Sequence, residues 1–290
     1  MPIVHANGID IRYELLGSGP TLALSHGWMG PTDDWPPGIL DALAEHVRVL
    51  VYDVRGHGRT SAPDGPDAYS VPTYTKDLAA LLDALDIRQA HIGGVSQGGM
   101  ISAQFAVDFP ERTRSLLICD STAGNGGDEG PGGQWESNLQ TFLEVMEYVA
   151  GTEGLEALAE RRIEASRSRD PHYADHPVPA EERERMERER HAGMSPACFQ
   201  NTSRALRTRP DLATRIETVQ APTLVVAGEW DDFLPCAERD HRRIVGSRYV
   251  LVRRCGHASP DWRPDAFIRA VTEFIADVEA GRETAGEYEL

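Results

Sequence analysis

The sequence has little of several features that would indicate a nucleic-acid-binding or membrane protein. It contains a single lysine, Lys76, and its formal net charge is -17 at pH 7. Nucleic acids and anionic membrane surfaces are unfavourable partners for such a charge. No apolar run reaches the ~18 residues of a membrane-spanning helix, and the N-terminus lacks the regions of a signal peptide. We therefore expect a cytoplasmic protein that binds neither nucleic acid nor membranes.

Cysteine pairs are also missing. The four cysteines lie far apart, without a Cys-x-x-Cys pair and without the spacing of a metal site. They are Cys119, Cys198, Cys236 and Cys255. We expect reduced, structural thiols. Since the sequence also carries no cofactor motif, we expect neither a metal nor a cofactor.

Strand-like and helix-like segments alternate over residues 1–122, the first part of the predicted core. The segment IDIRYELLG follows a hairpin signal at Asn7 and Gly8, and its alternation predicts an antiparallel strand. Unbroken apolar runs are typical of parallel strands buried on both faces. These runs are TLALSHG, VRVLVYDVRG, AHIGGVS and RSLLICDS. Helical spacing of apolar residues between the runs indicates an α/β fold.

The pattern changes over residues 123–212, which we interpret as an inserted helical lid. A glycine-rich link, AGNGGDEGPGG, leads into segments that predict helices with no strand between them. Strand patterns return over residues 213–281, the second part of the core, which ends in the helix PDAFIRAVTEFIADVEA. The polar tail, residues 282–290, is expected to be flexible.

One serine stands among four glycines in GGVSQGGM, residues 93–100. Gly94 to Gly98 match G-x-S-x-G between a strand run and a helix, a setting in which Ser96 would sit on a strained turn with its hydroxyl exposed. The glycines then have a steric reason, because a Cβ at Gly94 or Gly98 would strike neighbouring backbone. The alternative is an ordinary glycine-serine loop.

A nucleophilic serine needs a base, and the base needs an acid that orients it. His257 follows the last predicted core strand in GHAS, and Asp231 and Asp232 follow the preceding strand in GEWDDFLP. The chain order of serine, aspartate and histidine is the one expected when the serine is on such a turn. A third carboxylate, Asp120, ends the strand before the insert.

These motifs together resemble the α/β-hydrolase family over nearly the whole chain. The resemblance rests on SHGWMG, YDVRGHGRTSAP, GGVSQGGM, GEWDDFLP and GHAS, in the family's order. It implies a mostly parallel eight-stranded sheet flanked by helices, with the helical lid inserted after strand 6. It also implies Ser96 as nucleophile, His257 as base and Asp231 as acid, because Gly228 and Pro235 frame Asp231 at the family's spacing.

Further residues take roles from the same resemblance. Asp120 stands where some family members carry their acid, and Asp232 is adjacent to the favoured position, so both stay open as alternatives. The backbone N–H groups of Trp28 and Gln97 would form the oxyanion hole. The candidates for an apolar substrate pocket are Met100, Trp135, Phe142, Met146, Phe199 and Phe233. Each of these six is alternatively a packing residue of the lid or core.

Some members of the α/β-hydrolase family open epoxides or remove halides by attack of a carboxylate at this turn. A serine at position 96 argues against both reactions. We expect a serine hydrolase of a small ester or lactone, acting through an acyl-enzyme. The motifs look most like those of 3-oxoadipate enol-lactonases and of hydrolases of ring-cleavage products, although Gln97 replaces a methionine frequent there. The alternatives are a carbon-carbon bond hydrolase of a vinylogous diketone, a cofactor-free dioxygenase on a heteroaromatic substrate, and a ligand receptor. The expected partner is a small, partly apolar molecule. We expect the chain to be a monomer or a homodimer.

Overall fold

The computed structural model describes residues 2–124 and 130–290. Its central feature is one mixed β-sheet. Nine strands within these residues belong to the sheet. In chain order they are β1 (Ile3–Ala6), β2 (Ile9–Leu16), β3 (Thr21–Ser25), β4 (Arg48–Tyr52), β5 (Ala90–Val95), β6 (Thr113–Cys119), β7 (Thr223–Gly228), β8 (Arg248–Val252) and β9 (Gly286–Glu289). Their order across the sheet is β1-β2-β4-β3-β5-β6-β7-β8-β9. The pairs β1/β2 and β2/β4 are antiparallel and the others are parallel.

Ten α-helices lie within the same described residues. They are α1 (Ile39–Ala44), α2 (Val71–Ala84), α3 (Gln97–Asp108), α4 (Pro131–Thr152), α5 (Leu155–Arg169), α6 (Ala180–Ala192), α7 (Pro196–Arg207), α8 (Leu234–Arg243), α9 (Ser259–Trp262) and α10 (Pro264–Glu279). Strands and helices alternate from β3 to β6, as the sequence predicted.

Side chains that alternate along the strands build a core on each face of the sheet. In β3, Leu22 and Leu24 belong to the cluster that contains α1 and α10, whereas Ala23 belongs to the cluster that contains α2 and α3. Because successive side chains of a strand point to opposite faces, an unbroken apolar run supplies both cores. The helices on both faces confirm the predicted α/β fold.

The C-terminal segment forms a ninth strand, so the predicted number of eight strands is wrong. Residues expected to form a flexible tail contain β9, which pairs in parallel with β8, and the Leu290 N–H donates to the Leu251 carbonyl at 3.0 Å. The Arg253 guanidinium also pairs with the Glu289 carboxylate at 2.9 Å. The strand was missed because β9 is a largely exposed edge strand. Such a strand buries too little to show an apolar pattern.

Four helices, α4 to α7, form a helical insert between β6 and β7. The predicted glycine-rich link that precedes it includes residues 125–129, which lie outside the described residues. Ion pairs join α5 to α6, including Arg167 with Glu184 and Arg188 with Glu160 at 2.5 Å. That this insert acts as a lid stays a prediction.

Candidate active site

Ser96 occupies a strained position between β5 and α3. Its φ of 57° and ψ of -118° lie where residues with a side chain are uncommon. The backbone N–H of Ser96 donates to the Cys119 carbonyl at 2.9 Å, and the Ser96 carbonyl accepts from Gly99 and Met100 in the first turn of α3. The neighbouring strand and the helix therefore hold the turn from both sides.

The glycines around Ser96 have the steric role that the sequence suggested. A Cβ placed on Gly94 would lie 2.4 Å from the carbonyl carbon of Gly98. A Cβ on Gly98 would lie 2.0 Å from the carbonyl oxygen of Ser25 in β3. Both distances are far below van der Waals contact, and both neighbours are backbone atoms that cannot rotate away. The turn therefore requires glycine at both positions.

Replacement of Gly98 by alanine is expected to lower the free energy of unfolding by more than about 2 kcal/mol, because the β3 backbone would have to move. Gly193 is a suitable control, since a Cβ there would come no closer than 3.4 Å to another atom. Its change to alanine should cost less than about 1 kcal/mol. Urea unfolding followed by tryptophan fluorescence compares the two variants. Equal midpoints would contradict the tight contact at Gly98.

His257 and Asp231 form a hydrogen-bonded pair at the carboxyl ends of β7 and β8. The His257 Nδ1 lies 2.9 Å from Asp231 Oδ1, which also accepts the Phe233 N–H at 3.0 Å. Because an ionised carboxylate only accepts hydrogen bonds, Nδ1 carries the proton and Nε2 keeps a lone pair when the imidazole is neutral. The His257 side chain is 42% exposed, whereas that of Asp231 is fully buried. A buried acid thus orients an accessible base.

The electrostatic surroundings favour the charged form of His257. Removal of water around the imidazole lowers the pKa of His257, but the charge and hydrogen bond of Asp231 raise it by more, to about 9. Charges of Asp120 and Asp232 act in the same direction. An imidazolium formed during a reaction would therefore be stabilised here.

The three candidate acids are distinguished by their contacts. Asp231 is the one whose carboxylate is bonded to His257 within the described part of the chain. Asp232 is exposed to solvent. Asp120 is fully buried, and its Oδ2 accepts from the N–H and hydroxyl of Ser259, each at 2.7 Å. The geometry therefore favours Asp231 as the partner of the base.

The hydroxyl of Ser96 makes no hydrogen bond to any residue that the structure describes. The site thus contains a bonded His257–Asp231 pair and a serine on a strained turn, without a closed Ser96–His257 hydrogen bond. Such nucleophile–base contacts are often long in the absence of substrate and shorten when it binds.

The segment that follows β3 lies directly beside Ser96. A Cβ on Gly27 would be 3.7 Å from the Ser96 Cβ. His26 fixes this segment, since its Nδ1 bonds the Gly27 carbonyl at 2.7 Å and its Nε2 accepts the Val54 N–H at 2.9 Å. The N–H groups of Trp28 and Gln97 make no hydrogen bond to residues 2–124 or 130–290. Both backbone donors are thus unpaired among the described residues, and their role as an oxyanion hole stays a prediction.

One predicted pocket residue stacks on the histidine, and a second one packs against the first. The Phe233 ring stacks on the His257 imidazole with centroids 4.9 Å apart, and the Trp135 ring lies 3.8 Å from Phe233. Trp135 belongs to α4 and Phe233 precedes α8, so the helical insert and the core both contribute to this aromatic column. The column gives the site one apolar wall.

The other predicted pocket residues are distributed differently. Met100 is buried in the core, and Met146 and Phe199 are buried in a cluster with Trp28. Phe142 is 46% exposed, and its ring lies under the Arg162 guanidinium. The structure therefore does not place Phe142 with the group beside His257. The spacing of apolar residues in the segment of α4 did not show which face of this helix is buried.

Contacts between the helical insert and the site were not foreseen from the sequence. The His172 ring stacks on Trp230, the residue before Asp231, with centroids 3.7 Å apart. His176 packs against Trp262 in α9 at 4.3 Å, and the Arg190 guanidinium pairs with Asp34 at 2.6 Å. No sequence signal could have shown them, because each joins residues that are distant along the chain.

Membrane-spanning helices and clusters of metal ligands are both absent from residues 2–124 and 130–290. None of the helices in these ranges is long and apolar enough to cross a membrane. The same ranges hold no group of three or more histidine, cysteine or acidic side chains arranged to bind a metal ion.

Comparisons with known proteins agree with this fold. A family model described as alpha/beta hydrolase fold matches residues 20–264. The 2-hydroxy-6-oxo-2,4-heptadienoate hydrolase of Pseudomonas putida is 29% identical, with 94% of this chain and 95% of that protein covered. The 3-oxoadipate enol-lactonase 2 of Acinetobacter baylyi is 27% identical, covering 93% of this chain and 97% of that protein. The crystal structure of the enol-lactonase from Burkholderia xenovorans superposes with a TM-score of 0.78 at 27% identity, covering 95% of this chain and all of that one.

Proposed function

The chain belongs to the alpha/beta hydrolase fold family, and from that premise we propose that it is a serine hydrolase of a small ester or lactone. The observation that carries the proposal is the 2.9 Å hydrogen bond between His257 and Asp231, together with the strained turn that presents Ser96. A base oriented by a buried acid, near a serine held on a tight turn, is the arrangement that acyl transfer needs.

In the proposed reaction, Ser96 Oγ attacks the substrate carbonyl while His257 Nε2 takes its proton. The negative oxygen that forms accepts hydrogen bonds from the backbone N–H groups of Trp28 and Gln97. His257 then gives the proton to the leaving alkoxide as the C–O bond breaks, which forms an acyl-enzyme. The alcohol departs from an ester but stays attached to the acyl group of an opened lactone. Water attacks the acyl carbon while His257 takes one of its protons, and His257 then gives this proton to Ser96 Oγ as the bond to the acyl group breaks and the acid is released. Asp231 orients the imidazole and stabilises the imidazolium in both steps.

The surroundings support a small, partly apolar substrate. Phe233 and Trp135 supply an apolar wall beside the base. Through His172 the helical insert contacts the loop that carries Asp231, and through His176 it contacts α9, which follows His257. We propose that this insert acts as the lid of the site. Two of the similar proteins are named enol-lactonases, which favours a lactone or an ester of comparable size.

A second candidate is the hydrolysis of a carbon-carbon bond next to a ketone. The same serine, histidine and acid serve that reaction, and the Pseudomonas putida relative named for a heptadienoate substrate is 29% identical. The geometry of the described residues fits an ester or lactone as well as a ketone of this kind. Measured turnover of each substrate therefore has to decide between the two reactions.

A substrate panel tests the proposed function. We expect release of p-nitrophenol from short-chain p-nitrophenyl esters and opening of five- and six-membered lactones, because a serine that His257 activates when substrate is bound supports both reactions. A vinylogous diketone and a heteroaromatic substrate monitored for oxygen uptake complete the panel.

Selective turnover of the diketone would replace the ester or lactone proposal with the carbon-carbon bond hydrolase. Oxygen uptake would indicate the dioxygenase, and ligand-dependent partner binding with only a single slow turnover would indicate a receptor. A cytoplasmic location and a monomer or homodimer stay predictions of the sequence.

A further inference from the structure

A second buried carboxylate, Asp120, is hydrogen-bonded to the loop that carries the histidine. Asp120 follows β6 directly, is fully buried, and has a φ of 48°, which is uncommon for a residue with a side chain. Its Oδ2 accepts both the backbone N–H and the hydroxyl of Ser259, each at 2.7 Å. Two short bonds to one carboxylate oxygen fix the position of Ser259.

Ser259 is two residues after His257 and begins α9. Ala258 between them has a left-handed φ of 68°, so the chain turns sharply at this point. The tripeptide is thus held at both ends, by Asp231 at the imidazole and by Asp120 at Ser259. A shift at Ser259 would move the imidazole relative to its surroundings.

The neighbours of Asp120 hold the other reacting residue. The Cys119 carbonyl accepts the Ser96 N–H at 2.9 Å, and the Ser121 hydroxyl donates to the Ser96 carbonyl at 2.6 Å. Residues 119–121 are therefore hydrogen-bonded both to the turn that carries Ser96 and to the loop that carries His257. This short segment connects the two reacting side chains through the end of one strand.

We propose that Asp120 is a positioning residue that sets the approach of His257 to Ser96 through Ser259, and is not the acid that pairs with the base. This inference rests on the proposed function, because it assigns Asp120 a part in the same serine chemistry. Asp120 does not contact the reacting atoms; it acts through the loop.

The raised pKa of Asp120 bears on which side chains can replace it. Burial, and then the charge of Asp231, raise the pKa of Asp120 to about 7. Asp120 Oδ1 and Asp231 Oδ2 are both buried without a hydrogen-bond partner among the described residues. A neutral Asp120 still accepts from Ser259 through Oδ2 and avoids a second negative charge beside Asp231. An asparagine, which is neutral and keeps one acceptor oxygen, should therefore substitute well.

The kinetic test compares Asp120→Asn with Asp120→Ala on a p-nitrophenyl ester. Asp120→Ala should lower kcat by about 30- to 100-fold with KM within about three-fold, because a misplaced base slows the chemical step more than binding. Asp120→Asn should lower kcat by less than about five-fold. Adding Ser259→Ala to Asp120→Ala should change kcat little further, because both changes remove the same contact.

A loss with Asp120→Asn as large as with Asp120→Ala would overturn the inference, since a negative charge would then be required. A wild-type kcat in Asp120→Ala would overturn it as well. Should Asp120→Ala fail to fold, Ser259→Ala alone carries the test, with an expected loss of about three- to ten-fold in kcat at unchanged KM.

Nuclear magnetic resonance of the His257 Nδ1 proton gives a readout that does not need turnover. The far-downfield signal of this proton should persist in Asp120→Asn and broaden or vanish in Asp120→Ala, since the loop would no longer be held. An unchanged signal in Asp120→Ala would contradict positioning through Ser259. If the wild type hydrolyses no ester or lactone, the proposed function fails, and this signal still decides the role of Asp120.

Discussion

Replacing Ser96 with alanine is expected to lower kcat for ester hydrolysis by about 10⁵- to 10⁶-fold. The physical reason is that Ser96 lies on the strained turn, and that residues 119–121 hydrogen-bond both to this turn and to the loop that carries His257. The fold should survive, because the Ser96 hydroxyl makes no hydrogen bond to a described residue. Steady-state kinetics on a p-nitrophenyl ester, with thermal unfolding of the same samples, measures both quantities.

Ser203→Ala is the matched control. Ser203 is fully buried, and its hydroxyl also has no partner among the described residues, but it belongs to α7 of the helical insert and not to the turn. This variant should keep wild-type kcat within about two-fold. Activity of Ser96→Ala comparable to that of Ser203→Ala would show that Ser96 is not the nucleophile.

Replacing Asp231 with asparagine is expected to lower kcat by about 10⁴-fold. The amide can present its N–H₂ to the imidazole and stabilise the wrong tautomer, and it lacks the charge that supports an imidazolium. Asp232→Asn is the control, because Asp232 is adjacent in sequence but exposed to solvent. The kinetics should show a small loss for that variant. A larger loss in Asp232→Asn or Asp120→Asn than in Asp231→Asn would move the acid to the other position.

The wild type and Asp231→Asn should also differ in pH dependence. The base must be neutral to accept a proton, and the pKa of His257 is raised to about 9 in the folded protein. Activity of the wild type should therefore rise with pH until it levels off above this value. Removing the Asp231 charge lowers the pKa of His257, so the rising limb of Asp231→Asn should lie at lower pH. If kcat/KM rose over the same pH range in both proteins, the effect of the Asp231 charge on the pKa of His257 would be contradicted.

The sequence was informative where a local pattern has one physical cause. The two-residue turn at Asn7 and Gly8 was predicted from the left-handed backbone that these residues tolerate, and both have positive φ in the structure. The tightness of the turn around Ser96 was predicted from the glycines at positions 94 and 98, and the short distances from a Cβ at either position to backbone atoms agree with this. Short-range sterics can be deduced from neighbouring residues alone.

The sequence was less informative where distant segments meet. Asp120 and Ser259 are 139 residues apart, and their hydrogen bonds leave no periodic pattern. A sequence can place both at strand ends but cannot show which carboxylate reaches which loop. The exposure of Phe142 and the pairing of β9 were missed for a related reason, since burial depends on which element packs against each face.

The most direct test of Ser96 as an activated nucleophile is labelling of the wild-type protein with a fluorophosphonate, read by intact mass and peptide mapping. We expect one phosphonyl group, attached to Ser96, and no label in Ser96→Ala. A folded wild type that stays unlabelled, or a label on another residue, would contradict the assignment of Ser96 as the nucleophile.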